Sequence, residues 1–338
     1  MKKDNKKVIY WLLTGCVLIF TMVIVGGITR LTHSGLSISN YKLISGTIPP
    51  LNELEWHDAF ELYKQYPEYQ KLNKHFDLQD FKDIYFWEWL HRVLGRFIGL
   101  VFLIPFIYFL IRKQLTKPTI KKTIILLCLG SFQGFLGWYM VSSGLINKID
   151  VSHYRLSIHL FTAFFILSIV FWNYLELTQQ KINQVLIKYN LIKFFLVLLF
   201  IQLIIGAFAS GMDAGEIYNT WPLMGSSYFP DDSNVIEFLN INVFDNPSIV
   251  QFIHRNLAYL IIIVYIYLLI FVFKDRNRIF RKPILIIGIS LFLQVILGVI
   301  TILSGVKIIY ASLHQINSIL IILSTLYFLY ISKHKEKS

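Results

Sequence analysis

The sequence predicts an all-α integral membrane protein whose eight transmembrane helices form two parallel-repeat four-helix bundles. Three observations lead to this fold class. Of the 338 residues, 55% are hydrophobic and 15% are charged, a composition too apolar for an ordinary soluble domain. The chain contains eight stretches of about 20 mostly apolar residues, the length that a helix needs to cross a bilayer. Sequence landmarks of the first half also return in the second half, in the same order.

Two long loops interrupt the series of predicted spans, at about residues 29–87 and 211–248. Within the first loop, residues 51–74 follow two prolines and carry apolar residues at roughly helical spacing. This pattern predicts an amphipathic helix that lies on the membrane or caps a site. The predicted spans cover about residues 8–28, 88–111, 123–141, 154–176, 191–210, 249–273, 284–303 and 311–331.

The formal net charge of +12 is unevenly distributed along the chain. The two termini and the three short loops on the same side hold 20 of the 32 Lys and Arg residues but 4 of the 20 Asp and Glu residues. Because an excess of Lys and Arg in short loops is typical of the cytoplasmic face, both termini are predicted to be cytoplasmic. The basic residues therefore indicate a lipid bilayer and not nucleic acid as partner. The N-terminal segment lacks the character of a mitochondrial transit peptide, which favours a bacterial plasma membrane.

Each half of the chain carries the same four landmarks. Because each unit has four spans, the second unit enters the membrane in the same direction as the first, which predicts parallel repeats. We expect an N-terminal bundle at residues 1–180 and a C-terminal bundle at residues 181–338. The landmarks are Gly26 and Gly206, the His-Arg pairs at 91–92 and 254–255, the Gln-x-x-x-Gly patterns at 133–137 and 294–298, and His159 and His314.

Four of the nine histidines lie within a turn or two of the outer ends of even-numbered spans: His91, His159, His254 and His314. Neutral imidazoles from two helices of a bundle are a common way to hold heme iron at its axial positions. The sequence therefore indicates a heme site in each half. The alternative for each histidine is a polar residue that hydrogen-bonds to a neighbouring helix.

Four arginines accompany these histidines: Arg92, Arg96, Arg155 and Arg255. An arginine inside a membrane is costly unless it is paired, and heme propionates are carboxylates that a guanidinium group binds with two hydrogen bonds. We predict that these arginines bind propionates. The alternative is that they extend to lipid headgroups.

The two halves differ beside the first histidine of each. Glu88 precedes His91 by three residues and so lies one helical turn away, whereas Gln251 takes the equivalent place before His254. A carboxylate in one of two similar sites predicts different roles for them. It could relay protons or stabilise a cationic intermediate. The alternative is a glutamate at headgroup level that pairs with Arg92.

Seven segments resemble the heme A synthase family, in the branch shared by mitochondria and many proteobacteria. They follow the family's order over nearly the whole chain. The cysteine pair found in the first outer loop of the Gram-positive branch is absent here. The segments are GGITRLTHSGLSI at 26–38, FWEWLHRVLGR at 86–96, FQGFLGWYMVSSGL at 132–145, VSHYRLSIHL at 151–160, GAFASGMDAGEIYNTWPLMG at 206–225, NPSIVQFIHR at 246–255 and LHQ at 313–315.

The resemblance implies oxidation of the C8 methyl group of heme O to the formyl group of heme A, by successive hydroxylations, for cytochrome oxidase biogenesis. It implies that His91 and His159 bind the substrate heme, that Glu88 is the catalytic carboxylate, and that His254 and His314 bind a heme b cofactor. A heme O synthase upstream and cytochrome oxidase assembly factors downstream are the expected partners. The electron donor stays unidentified, and homo-oligomerisation is compatible with the sequence.

Two other functions share some of these features. A di-heme b-type cytochrome that transfers electrons within the membrane would also use paired histidines, but it has no need of Glu88 in one site alone. A transporter would also show repeats and eight helices. Transporter sites, however, usually lie near the midplane of the membrane on broken helices, whereas the histidines here lie toward one face.

Overall fold

The computed structural model describes residues 5–38, 45–144, 151–178, 189–240, 242–275 and 278–332. These ranges contain ten α-helices, eight of which are long and apolar enough to cross a membrane, as predicted. The short helices α2 (Glu53–Tyr63) and α3 (Pro67–Lys71) lie in the first long loop. The eight spanning helices are α1 (Asn5–Leu31), α4 (Leu78–Ile111), α5 (Lys117–Gly144), α6 (His153–Thr178), α7 (Tyr189–Gly211), α8 (Pro247–Lys274), α9 (Arg281–Leu303) and α10 (Ile308–Ser332).

The spanning helices expose large apolar side chains. On α4, Phe97, Leu100, Ile104 and Ile107 are each at least 45% exposed. Their spacing of three or four residues puts them on one face of the helix. Such a stripe is unfavourable in water and suits contact with lipid. The protein is therefore a multi-pass membrane protein.

Helix α4 begins at Leu78, well before the apolar span that was predicted from about residue 88. Asp77 caps this start, because its side chain accepts hydrogen bonds from the backbone N–H groups of Gln79 and Asp80. The Asp80 side chain accepts in return from the Asp77 N–H at 3.0 Å. This capping box stabilises a helix start whose charged residues exclude it from the bilayer, and hydropathy therefore did not include it.

Residues 51–74 form the two short helices α2 and α3 instead of one amphipathic helix. The Phe81 ring of α4 stacks on Phe60 and Tyr63 of α2, with centroid distances of 5.1 and 5.2 Å. All three side chains are buried. This aromatic cluster fixes the first long loop on the same helix that carries His91.

Residues 1–166 form one compact unit, in which α4 packs against α1, α2 and α5. The Trp11 ring of α1 lies 5.7 Å from the Phe102 ring of α4, and its indole N–H donates to the Val101 carbonyl at 2.9 Å. Gly15 leaves room for this packing, because a methyl group there would lie 2.5 Å from the Phe102 ring. These contacts hold α1 directly beside α4.

Residues 167–338 form the second compact unit, in which α7 packs against α8 and α10, and α9 also packs against α8 and α10. Each helix thus contacts two others, as in a four-helix bundle. The Tyr265 hydroxyl of α8 donates to the Ile284 carbonyl of α9 at 3.1 Å. The boundary predicted at residue 180 lies outside the described residues, and the parallel-repeat arrangement stays a prediction.

Candidate functional site

The four histidines singled out in the sequence meet in two pairs. The ring centroids of His91 and His159 are 6.4 Å apart, with an interplanar angle of 62°. Those of His254 and His314 are also 6.4 Å apart, with an angle of 65°. A metal ion that binds one nitrogen of each ring through bonds of about 2 Å puts the centroids roughly 6 Å apart. Each pair therefore has a spacing that would let both imidazoles bind one heme iron.

Two of these imidazoles have a ring nitrogen whose hydrogen-bonding capacity is unused. Nδ1 of His159 and Nδ1 of His254 are buried and have no hydrogen-bond partner in the part of the chain that the structure describes. Leaving a polar atom in this state costs about 1–3 kcal/mol. Either nitrogen of an imidazole can bind a metal, so the pairs suit an iron-bound group in chemistry as well as in spacing.

Each of the four imidazoles packs against a glycine on the spanning helix that precedes its own. A methyl group placed on any of these glycines would lie closer to the ring than an ordinary van der Waals contact, so even a small side chain would push against the imidazole. The pairs are Gly26 with His91 Nε2 at 3.1 Å, Gly137 with His159 Cε1 at 3.2 Å, Gly206 with His254 Cε1 at 3.0 Å, and Gly298 with His314 Cε1 at 3.0 Å.

A glutamine lies one turn before the glycine on three of these helices. The Nε2 groups of Gln133 and Gln202 donate to the backbone carbonyls of His159 and His254, both at 3.0 Å. Gln294 Nε2 lies 3.2 Å from an imidazole nitrogen of the fourth histidine. The sequence-based prediction did not include these glutamines among the site residues. Their signal is the Gln-x-x-x-Gly spacing, which was recognised in two helices as a repeat landmark only.

Glu88 is 2% exposed and joins α4 to the segment that follows α1. Its Oε2 accepts hydrogen bonds from the Ser37 hydroxyl at 2.7 Å and from the Ile38 N–H at 2.6 Å. Its Oε1 binds the Arg92 guanidinium at 2.5 Å, and Arg92 also donates to the Ile38 carbonyl at 2.9 Å. The buried ion pair therefore binds residues 37–38 to α4 at Glu88, which lies one helical turn from His91.

The second unit holds its own loop in a related way but without a carboxylate. Gln251 Nε2 and Arg255 Nη2 both donate to the Tyr218 carbonyl, each at 3.1 Å. Tyr218 follows the histidine-facing glycine of α7 by the same number of residues as Ile38 follows that of α1. The backbone of Ile38 in the first unit is bound by a glutamate and an arginine. The equivalent backbone of Tyr218 in the second unit is bound by a glutamine and an arginine.

The four arginines predicted to bind propionates have different surroundings. Arg92 and Arg255 bind loop backbone, as described above. The Arg155 guanidinium lies 4.6 Å from the centroid of the Tyr139 ring, a distance that allows a cation–π interaction. Arg96 follows Arg92 on α4 by one turn. Their binding of propionates stays a prediction.

Outside the spanning segments, a hydrogen bond between Tyr218 and Asp232 joins two parts of the second long loop. The Tyr218 hydroxyl accepts a hydrogen bond from the Asp232 N–H at 3.1 Å, and the Asp232 side chain accepts from the Ser248 hydroxyl at 2.7 Å. Burial raises the pKa of Tyr218. Burial also opposes ionisation of Asp232, but hydrogen bonds from Ser248 and Tyr218 lower its pKa overall. The phenol and the carboxylate therefore keep these bonds at neutral pH.

Known proteins similar to this chain cover almost all of it. A family model described as a cytochrome oxidase assembly protein (COX15-CtaA) matches residues 9–326. The chain is 47% identical to the heme A synthase of Flavobacterium johnsoniae over 340 residues, which cover 98% of this chain and 99% of that protein. It is 45% identical to the heme A synthase of Pelagibacter ubique, with 96% of each protein covered. The chain therefore belongs to the COX15-CtaA family of cytochrome oxidase assembly proteins.

Proposed function

We propose that this protein is a heme A synthase, which oxidises the C8 methyl group of heme O to the formyl group of heme A for cytochrome oxidase biogenesis. The observation that carries this proposal is the similarity of the chain, over nearly its full length, to known heme A synthases. The heme A synthase of Flavobacterium johnsoniae is 47% identical to it. The two histidine pairs support it, because such an enzyme needs one site for the substrate heme and one for a heme cofactor.

The chemistry explains why a protein of this kind binds heme twice. Oxidation of an unactivated methyl group to a formyl group removes electrons that an external oxidant must accept, and bound heme would mediate this chemistry, which amino-acid side chains do not. Two successive hydroxylations convert the methyl group to a gem-diol, which loses water to form the aldehyde. The role of the protein is to bind the substrate, to fix the methyl group in one orientation and to hold proton-accepting groups near it.

We assign the substrate heme to His91 and His159, and the heme b cofactor to His254 and His314. The difference between Glu88 and Gln251 supports this assignment, because a carboxylate lies one turn from the first histidine in the first unit only. A carboxylate there can accept a proton from the substrate or offset positive charge that develops during oxidation. We therefore propose Glu88 as the catalytic carboxylate.

Arg92, Arg96, Arg155 and Arg255 are the proposed ligands of the heme propionates. Their guanidinium groups complement carboxylates in charge and in hydrogen-bond geometry. Arg255 supports this role directly, since its Nε is buried without a hydrogen-bond partner among the described residues. That donor is available to a ligand, while the two terminal nitrogens hold the loop backbone.

The proposed setting follows from the charge distribution and from the reaction. The excess of Lys and Arg in the short loops supports a cytoplasmic position of both termini, and the similarity to bacterial heme A synthases supports a bacterial plasma membrane. The histidine pairs then lie toward the outer side. The reaction requires a heme O synthase upstream, delivery of heme A toward cytochrome oxidase assembly downstream, and an electron donor of unidentified class.

A di-heme b-type electron-transfer cytochrome is the second candidate, because paired histidines at 6.4 Å suit two permanent hemes equally well. Extraction of hemes from the purified full-length protein, followed by chromatography, separates the two functions. Heme B together with heme O, heme A or a hydroxymethyl intermediate supports the synthase. Heme B alone in both sites overturns it and supports the electron carrier.

A further inference from the structure

Glu88 and Gln251 occupy equivalent places in the two units, and each is followed one helical turn later by an arginine, Arg92 or Arg255. Residues four apart lie on the same face of a helix. Each arginine also directly follows a histidine of a proposed heme site. The exchange of a carboxylate for an amide therefore changes the net charge beside that histidine, in addition to removing a proton-accepting group.

In the first unit, the protein itself supplies the counter-charge of the arginine. Glu88 Oε1 lies 2.5 Å from the Arg92 guanidinium, and the two side chains are 3% and 12% exposed. Glu88 Oε2 accepts two further hydrogen bonds, from residues 37 and 38. Both oxygens thus act as acceptors, as in an ionised carboxylate. The buried pair carries no net charge, so a ligand of the first site does not have to neutralise Arg92.

In the second unit, Arg255 forms no ion pair with any residue that the structure describes. Its terminal nitrogens donate to the carbonyls of Leu223 at 3.3 Å and Tyr218 at 3.1 Å. These carbonyl dipoles solvate the guanidinium but do not neutralise it. The Asp232 carboxylate of the loop above accepts from the Ser248 hydroxyl at 2.7 Å and is exposed, so water and salt screen its charge.

The hydrogen-bonding capacity of the second pair is also incompletely used. Oε1 of Gln251 and Nε of Arg255 are buried, and neither has a hydrogen-bond partner among the described residues. The two residues are 3% and 8% exposed. Buried charges in proteins are normally paired. A water molecule could bond to both groups, but it would bring no charge, and the guanidinium therefore needs an anion from a ligand.

We propose that Gln251 is a specificity-determining residue: because it leaves Arg255 without a counter-charge, the second site selects heme through its propionate carboxylates, whereas Glu88 removes this requirement at Arg92. The inference rests on the heme binding of the proposed function and not on the oxidation of heme O. An uncompensated charge inside a protein attracts an opposite charge strongly, because the effective dielectric constant there is low. This attraction does not require direct contact, so it acts on any propionate that lies beside the arginine.

The test compares heme B with its dimethyl ester, in which both propionates are uncharged. Full-length protein from heme-starved cells is purified in detergent and titrated with each compound, and binding is followed by absorbance. The second site is measured in a His159→Ala background and the first site in a His314→Ala background. Gln251→Glu gives the second site the carboxylate of the first, and Glu88→Gln does the reverse. Gln251→Met is the matched control, because it removes the amide and adds no charge.

We expect the second site of the parent to bind heme B roughly 10- to 30-fold more tightly than the ester, the effect of one charge pair about 8 Å apart at the protein's effective dielectric constant. Gln251→Glu should remove most of this preference, and Gln251→Met should keep it. Glu88→Gln should increase the preference of the first site for heme B over the ester. Each of these three results supports the proposal.

Equal binding of heme B and the ester by the second site of the parent overturns the proposal, and it would leave a lipid phosphate as the source of the counter-charge. Loss of the preference in Gln251→Met also overturns it, because the amide and not the charge would then be responsible. An unchanged preference in Gln251→Glu or in Glu88→Gln has the same consequence. If Gln251→Glu does not fold, Glu88→Gln decides the question alone.

The hemes extracted from the parent separate this inference from the proposed function. If the parent protein yields heme B alone, the synthase function fails, whatever the preference for free propionates is. If it yields heme O or heme A together with heme B, but the exchanged residues do not alter that preference, the synthase function stands and the charge proposal fails.

Discussion

Glu88 has two roles to be separated in the proposed site: it holds residues 37–38 through hydrogen bonds, and it places a carboxylate one turn from His91. The first role is structural and the second is chemical. Its ion pair with Arg92 is buried, so removal of the carboxylate leaves a buried guanidinium without its counter-charge, at a cost of about 3–5 kcal/mol. A test must therefore distinguish loss of the chemistry from loss of the loop.

We predict that Glu88→Gln lowers heme A formation by about 100-fold or more, the range typical of a lost general acid or base. Heme O or a hydroxymethyl heme should accumulate, while heme B content stays close to the parent. The hemes are measured by extraction and chromatography. Ser37→Ala is the matched control, because it removes a hydrogen bond to Glu88 and keeps the carboxylate. An equal loss of heme A in Ser37→Ala would show that Glu88 acts only by holding the loop.

A second prediction concerns the resident heme. If His254 and His314 bind the iron of heme b as proposed, replacing either with alanine would remove an iron ligand, so the low-spin b-type absorbance of the purified protein should fall sharply. His75→Ala, an exposed loop residue, is the control and should leave the spectrum unchanged. Spectra of the His254 and His314 variants that match the parent would contradict the assignment of heme b to the second unit.

The residue types of the site could be read from the sequence because imidazoles and guanidinium groups are rare and costly in apolar helices. His91 and His159 were paired by the repeat alone, and the structure brings their rings together. The glutamines could not be identified in that way, since a glutamine in a helix carries no charge to mark it. The hydrogen bonds from residues 37–38 to Glu88 depend on the geometry of the loop, which hydropathy and residue spacing do not predict.

At the scale of the helix pair, the contact between a glycine and an imidazole determines where each histidine ring lies. A helix interior normally disfavours glycine by about 1 kcal/mol relative to alanine. In these four helices the missing side chain creates the space that the ring of the partner helix occupies. The position of the histidine therefore depends on the helix that faces it as much as on its own.

We predict that Gly137→Val displaces the His159 ring, because a methyl group at this position already lies 3.2 Å from its Cε1. Heme O binding in the first unit should be lost or strongly weakened, as measured by the heme extracted from the purified variant. Gly130→Val on the same helix is the control, since a methyl group at Gly130 has no heavy atom within 4 Å among the described residues. Equal loss of heme in both variants would show that valine disturbs α5 as a whole, and not the contact between Gly137 and the His159 ring.

Helix boundaries illustrate which parts of an element hydropathy can predict. At the short basic loops the predicted ends of the spans lie within about three residues of the helix ends, except at α5, which begins at Lys117 and not near residue 123. The start of α4 was predicted too late, because Asp77 caps a helix that continues outside the apolar segment. The break between α2 and α3 depends on a proline at the start of α3 and on packing against Phe81. Tertiary contacts of this kind override the local periodicity.

At the scale of the whole chain, charge and connectivity together support the proposed orientation in the membrane. If the eight candidate spans among the described residues all cross the membrane, both termini lie on the same side. The excess of Lys and Arg is confined to the termini and to the loops that follow the second, fourth and sixth spans. His159, His254 and His314 lie within about two turns of the opposite ends of their helices, and His91 lies near the start of the apolar part of α4. The outer placement that we propose for the heme sites thus rests on a charge pattern that involves none of the histidines.

We predict that reporter fusions after residues 117 and 278 report the cytoplasm, and that fusions near residues 65 and 235 report the outer side. Residue 117 is the first residue of α5, and residue 278 lies in the basic connection before α9. Residues 65 and 235 lie in the long loops before α4 and α8. Alkaline phosphatase, active only outside the cytoplasm, and a cytoplasmic fluorescent reporter give opposite signals at each position. Because the excess of Lys and Arg determines orientation during insertion, replacing the basic residues at 112–122 with glutamine should weaken the contrast between the two reporters. A reversed pattern in the parent would put both heme sites toward the cytoplasmic face and would require substrate delivery and product release from that side.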